Sequence, residues 1–512
     1  MARRVVAIKR PLTSAGIIAA LALVSLTLGP IVAVVLRAGG LGAIGPGDWH
    51  AFRFTLFQAL LSAGFSVILA IPVARAFARR RFAGRGVLVT LMGAPFILPV
   101  IVAVIGLIAV FGQNGVVNAI LTTVGLPKID VYGLHGVVLA HVFFNLPLAT
   151  RMLLQAHLAI PAERFRLAAS LGLGPWAFFR TIEWPLIRRI APGAFAVIFV
   201  ICLTSFAVAL TLGGGPRATT VELAIYQAMR FDFDLGRAAV LAVMQLALAL
   251  IAGIVALKVS HMDGFGVGRD RQVARWDGRS LWARGWDAAW LAIAASFLLV
   301  PLGAVILKGA PGLALLNADT YRAAGHSLAV ALGSTALCLA WAFPLASKRG
   351  ELLSLAAIAI SPLVLGAGIF LMLRPYVNPF SMALPVTGLV NALMALPFAL
   401  RILRPEAEAV EADFARLRAT LRMTRGAWLR LVWLPRLRRP LGFAGGLTAA
   451  LAMGDLGVIA LFADPDRTTL PLQVYRLMGA YQMEAAAGAA LLLLGLSLAL
   501  FWLFDRGGRA DA

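Results

Sequence analysis

The sequence predicts an all-α, polytopic membrane protein with about twelve transmembrane helices in two tandem sets of six. Three observations predict it. The 512 residues are 61% hydrophobic and only 13% charged, against about 25% charged in soluble domains. Apolar runs of at least about 18 residues recur along the chain, each long enough to cross a ~30 Å hydrocarbon core as a helix. Finally, text between residues 147 and 189 returns at 397–439, an offset of 250 residues.

Taken in order, the expected spans of the first set are 14–36, 54–77, 87–111, 134–154, 191–212 and 237–258. Those of the second are 285–307, 324–346, 352–373, 384–404, 441–463 and 485–504. Helices satisfy their own backbone hydrogen bonds and so can stand in lipid. The segment at 14–36 follows a basic start, MARRVVAIKR, as a signal peptide does. No small-residue cleavage site stands out and the run is long, so a retained helix is expected.

Charge sets the expected orientation. With twelve spans and a cytoplasmic N-terminus, 35 Lys and Arg fall on the cytoplasmic side and 11 outside. Basic residues are retained in the cytoplasm, so both termini are expected there. The net charge of +23 is then mostly one membrane face. It points to acidic lipid headgroups and acidic partner surfaces, and no soluble basic domain exists to bind nucleic acid. Cys202 and Cys338 lie within spans, neither in a CxxC, so no metal or redox site is expected. No cofactor and no catalytic constellation is legible either.

The repeat organises the domains. Between Pro147 and Arg189, 15 of 43 positions match their partners 250 residues on, among them Arg151/Arg401, Arg166/Arg416, Leu171/Leu421 and Pro185/Pro435. TTVELAIYQ at 219–227 echoes TTLPLQVYR at 468–476, and Pro72 faces Pro344. Residues 1–258 are expected to form one six-helix half and 285–512 the other, joined by a polar cytoplasmic linker, 259–284. Six spans is an even number, so the halves share one orientation and pack about an axis along the membrane normal.

Each half interrupts itself after its fourth span with about 35 soluble-looking residues, at 155–190 and 405–440. Pro161 and Pro405 suit a first helical turn, and the acidic residues Glu163, Glu406, Glu408, Glu411 and Asp413 suit its dipole. Val410, Phe414, Leu417 and Leu421 then form one apolar stripe. Ile160, Leu167 and Leu171 keep it in the first copy, with Phe165 beside it. Breaks are expected at Gly174–Pro175 and near Gly426. A single such helix reads as one lying on the lipid surface. Two at equivalent places favour docking onto two equivalent partner surfaces.

These loops resemble the EAA loop of ABC importer membrane subunits, EAA-x3-G-x9-I-x-L-P. Ala168, Gly172, Ile182 and Pro185 keep its spacing, and Val432, Leu434 and Pro435 keep its end. Arg166 and Arg416 stand where the family has Glu, and Arg422 replaces the Gly. The resemblance covers nearly the whole chain and implies two fused type I permease halves of the ferric-iron and thiamine branch. The passages from Ser205 and from Met453 look closest to thiamine permeases. It implies a bacterial inner-membrane protein, a periplasmic solute-binding protein, and two copies of an ATP-binding subunit that receive the loops.

Other motifs fit that picture. The five lysines, at 9, 128, 258, 308 and 348, lie in no GK[ST] context, so no P-loop exists and ATP must be hydrolysed elsewhere. LGGGPRATT at 212–220 reads as a turn. Asp455 is a carboxylate within a span, which costs about 2.5–3.5 kcal/mol on insertion scales and must face protein or water. It is either a structural contact between helices or part of a translocation path with Thr204, Ser205 and Phe206. Thiamine is a cation with two aromatic rings, and a carboxylate with Phe suits it through charge and cation–π attraction. Ferric iron also suits a carboxylate and remains the alternative solute. His141 and Asn145 are weaker lining candidates. A twelve-span secondary transporter is a further alternative, although proton coupling needs several membrane carboxylates.

Overall fold

The computed structural model describes residues 14–38, 44–93, 95, 97–259, 275–347, 350–351, 353–354, 360–462 and 464–509. Among them every regular element is helical. The first part of the chain carries α1 (Ser14–Ala38), α2 (Pro46–Arg79), α3 (Arg85–Leu91), α4 (Val100–Phe111), α5 (Val116–Thr123) and α6 (Leu134–Leu158). After α6 come α7 (Ala162–Ser170), α8 (Pro175–Phe178), α9 (Trp184–Leu203), α10 (Ala207–Leu212), α11 (Val221–Arg230) and α12 (Leu235–Val259). Beyond the linker lie α13 (Leu281–Gly312), α14 (Ala318–Leu345), α15 (Pro362–Leu373), α16 (Ala383–Thr420) and α17 (Arg425–Trp428). The chain closes with α18 (Leu434–Met453), α19 (Gly457–Leu461), α20 (Leu470–Gly479) and α21 (Met483–Arg509).

Among the described residues, eleven helical runs are long and apolar enough to cross a membrane, and the chain is a multi-pass membrane protein. The expected span at 352–373 falls partly outside the described residues. Its described part, α15, has 12 residues, about 18 Å of helix.

Four expectations need correction. The third span does not run unbroken over 87–111. Pro95 and Pro99 interrupt it, and the apolar run instead covers Val100–Thr123, since a proline can neither donate to the ladder nor clear the preceding turn. The spans at 191–212 and 441–463 are also broken, at Thr204–Phe206 and Gly454–Leu456. Pro405 does not open a helix but lies inside the 38-residue α16. Leu400, Leu403, Ala407 and Val410 around it are buried in one apolar cluster with α14 and α18, which offsets the ~3 kcal/mol cost of an interior proline. Finally, the breaks in the two loops fall a few residues early, at 171–174 and 421–424.

The first long helix of each part reaches across to the other part. α1 packs against α15, α12 and α14, while α13 packs against α4, α2 and α21. Each crossing is a proline turn laid on a glycine. The Pro30 backbone lies against Gly368 of α15, and a Cβ on Gly106 of α4 would sit 2.5 Å from the Pro301 carbonyl oxygen. Small residues allow this backbone approach, which is the main source of helix affinity where lipid offers no hydrophobic drive.

The crossings are therefore expected to be intolerant of side chains. Gly106→Ala and Gly368→Ala should each destabilise the purified protein by about 1–3 kcal/mol, as overpacking does. The readout is the thermal unfolding midpoint in detergent. Gly64→Ala, with nothing within 4 Å of the new methyl, serves as the unchanged control.

Candidate functional site

From the C-terminal ends of α7 and α16 onward, the two loops match turn for turn at the 250-residue offset. In the first, α7 ends in a turn where Gly172 adopts φ +62°, closed by Leu173 N–H donating to the Ala168 carbonyl at 3.0 Å. In the second, Arg422 takes the same left-handed position at φ +44°, and Met423 N–H donates to Arg418 O at 3.1 Å. A non-glycine residue there costs roughly 1–2 kcal/mol. Each short helix then passes through one π-helical turn, Phe179–Glu183 or Leu429–Trp433, into α9 or α18.

The apolar stripes divide along their length. Ile160, Phe165 and Ala168 are buried in a small cluster with Phe178, and Val410 is buried with Phe414 packed beside it. The tips are bare: Leu171 is 66% exposed and Leu421 61%. Leu167, Trp176, Leu417 and Leu431 are exposed too. Arg166, Arg416, Pro185 and Pro435 face outward, and Ile182 is half-buried. Among the described residues nothing covers either tip.

What holds the loops differs, and the sequence did not announce it. Glu183 is fully buried and accepts from Arg75 Nε at 2.7 Å and from Arg275. Asp277 accepts from Arg79 at 2.7 Å and Arg275 at 2.8 Å, and Asp287 pairs with Arg80 at 2.6 Å. Arg275 also lies 5.2 Å above both the Phe165 and Phe178 rings, with Trp276 edge-on to Phe178. The end of the linker is thereby strapped to the first loop. Residues 260–274 of that linker lie outside the described residues. Burial alone raises the Asp277 carboxyl, but Arg275 and Arg79 outweigh it and hold the group below the usual carboxylate range. At Glu183's counterpart stands Trp433, packed on Phe343 with centroids 4.4 Å apart. Arg418 over Trp428 and Arg436 over Phe414 complete an apolar and cation–π clamp on the second loop.

Deeper in the chain, the breaks at 204–206 and 454–456 lie together. A methyl on Gly457 would lie 3.6 Å from the Phe206 ring and 3.7 Å from Asp455 Oδ1. Thr204 and Ser205 are half-buried, and Thr204 Oγ1 donates to the Val200 carbonyl at 3.3 Å. The carbonyls freed by the breaks find side-chain amides. Gln58 Nε2 donates to Cys202 O at 3.0 Å, Gln245 Nε2 to Leu203 O at 2.9 Å, and Asn391 Nδ2 to Ala452 O at 3.4 Å. Asp455 Oδ1 accepts from Gly457 N–H at 3.2 Å, while its buried Oδ2 has no partner. His141 Nδ1 meets Ser62 Oγ at 3.2 Å, and Asn145 donates to His141 O and toward Cys202 Sγ. Sequence reasoning passed over Gln58, Gln245 and the buried Glu222, although each is a polar residue in an apolar stretch.

No protein-family profile matches the chain. Whole-chain relatives do. The thiamine transport system permease protein of Brucella abortus strain 2308 is 39% identical over 514 residues, 96% of this chain and 94% of that one. That of Escherichia coli K12 is 39% identical over 477 residues, 90% and 89% of the two chains. The molybdenum transport system permease protein of Azotobacter vinelandii is 29% identical over 178 residues, 35% of this chain and 78% of its own.

The strap generates a pH prediction. A carboxylate whose folded pKa is depressed adds stability above its unfolded value, about 3.9, and that stability is lost as the pH falls through the folded value. Amide protection factors across 275–287, referred to intrinsic exchange at each pH, should fall on acidification below about pH 4. In Asp277→Asn they should already be low at neutral pH, because breaking a buried pair costs about 3–5 kcal/mol. Equal protection in both proteins at pH 7 would show that the strap adds no stability.

Proposed function

The chain belongs to the thiamine transport permeases of the ABC importers, and from that membership we propose that it carries thiamine, free or phosphorylated, across the bacterial inner membrane. The observation that carries the reading is the pair of loops, which share one turn, one short helix and one π-helical turn and each present a bare leucine at the turn. A periplasmic binding protein delivers the solute to the outer face, with both termini cytoplasmic. One ATP-binding subunit seats on 155–190 and a second on 405–440. Their closure on ATP pulls the halves, 1–258 and 285–512, from inward-open to outward-open, and hydrolysis resets them. The permease contributes no catalytic group. Its own work is mechanical: the loops transmit force through α9 and α18 to the breaks at 204–206 and 454–456. Ferric iron is the competing solute, and the whole-chain relatives' names favour thiamine.

Three outcomes are expected. The purified chain alone hydrolyses no ATP. Hydrolysis appears with the ATP-binding subunit and rises with thiamine-loaded binding protein. Leu171→Asp and Leu421→Asp insert normally but bind that subunit at least about tenfold more weakly, because a buried unpaired charge costs several kcal/mol. Pull-down and uptake are the assays, and the first-copy variant is expected to suffer more. Normal uptake from both variants would return these helices to the lipid surface. Asp455→Asn should assemble yet transport slowly, and unchanged uptake would make Asp455 a structural contact.

A further inference from the structure

Five buried acceptor oxygens around the breaks have no donor: Gln58 Oε1, Gln245 Oε1, both oxygens of Glu222, and Asp455 Oδ2. The amide orientations are forced, because Nε2 of each glutamine is spent on a backbone carbonyl that can only accept. Gln58, Gln245 and Glu222 are all fully buried. Glu222 is fixed in the first turn of α11. Thr220 caps that helix by accepting from Leu223 N–H at 3.3 Å, and Val221 N–H donates to Thr55 Oγ1 of α2 at 2.9 Å. Gln245 and Ser361 are the polar side chains that face the carboxylate.

Aromatic side chains link the two acids. One turn past Glu222, Tyr226 meets Phe206 edge to face at 5.3 Å, and Phe206 borders Gly457 and Asp455. Arg230, further along α11, is engaged over the Phe380 ring at 5.8 Å. The acids are shared out between the repeats. Glu222 is matched by Pro471 at the 249-residue offset and Asp455 by Ser205 at 250, so each part supplies one.

A buried acceptor left without a donor destabilises the fold, and more so when charged. A cluster with surplus acceptors, two carboxyls and two aromatic rings is completed by a cation that carries N–H donors and a flat ring. We infer that Glu222, with Asp455 across the break, forms the counter-charge site for a cationic heterocycle on its way through the membrane. The inference rests on the thiamine reading above and adds the residue that recognises the solute's charge. The site is closed here, between α11 of the first part and α15 and α19 of the second, so relative movement of the two parts opens it.

The test uses the full transporter, with its binding protein and ATP-binding subunit, in proteoliposomes supplied with radiolabelled thiamine. Glu222→Gln keeps the size and polarity of the side chain but cannot carry a charge, so it should assemble in normal yield and lose at least tenfold of the uptake rate. Glu222→Asp should retain more uptake than Glu222→Gln. Normal uptake by Glu222→Gln overturns the inference, as does equal loss in both variants. Failure of Glu222→Gln to assemble also overturns it, since the carboxylate would then be structural. If the unaltered transporter takes up no thiamine, the proposed function falls, and this inference with it.

Discussion

A helix that stops inside a bilayer strands carbonyl groups where no water can reach them. That constraint organises this molecule. α9 and α18 each stop short of the next helix, and the freed oxygens must be met by side chains from elsewhere. Gln58, Gln245 and Asn391 do so. Each amide fixes a neighbour: α2 and α12 must flank the end of α9, and α16 the end of α18. The breaks are then held open by specific bonds, and the unwound residues line an interior where backbone and polar groups meet.

The crossing helices solve a second problem set by lipid. Apolar side chains gain little from one another when lipid tails are just as apolar. Contact between the two parts therefore rests on shape, and the paired proline and glycine surfaces provide it. The same logic explains why the loops, which are richer in charged residues, can use other forces. The first is clamped by buried ion pairs and stacked rings, the second by tryptophans and arginines over rings.

Much of this was legible in the sequence, and the failures have physical causes. Hydropathy found the long helices because a bilayer demands apolar length. It missed the breaks at Thr204–Phe206 and Gly454–Leu456 because small residues barely change a window average. It misread Pro405 because the packing around that residue outweighs its local preference. The repeat located both loops, whose tips carry the exposed Leu171 and Leu421. Nothing local foretold the strap. Arg275 and Glu183 are 92 residues apart, and only the fold brings them together. Glu222 was hidden by its setting, since TTVELAIYQ reads as an ordinary amphipathic stretch until its surroundings are known.

The strap also bears on how such a chain can diverge. In a permease assembled from two copies of one gene product, every residue is written twice, and both loops must be clamped alike. Here a single polypeptide passes once from the first part to the second, and its last residues before α13 can serve one loop only. Connectivity alone therefore breaks the twofold symmetry. One loop acquires an ionic clamp with Glu183 at its centre, and the other, freed from carrying a matching acid, can keep Trp433 in its place. A covalent passage between the two parts thus lets one of the two loops be held differently from the other.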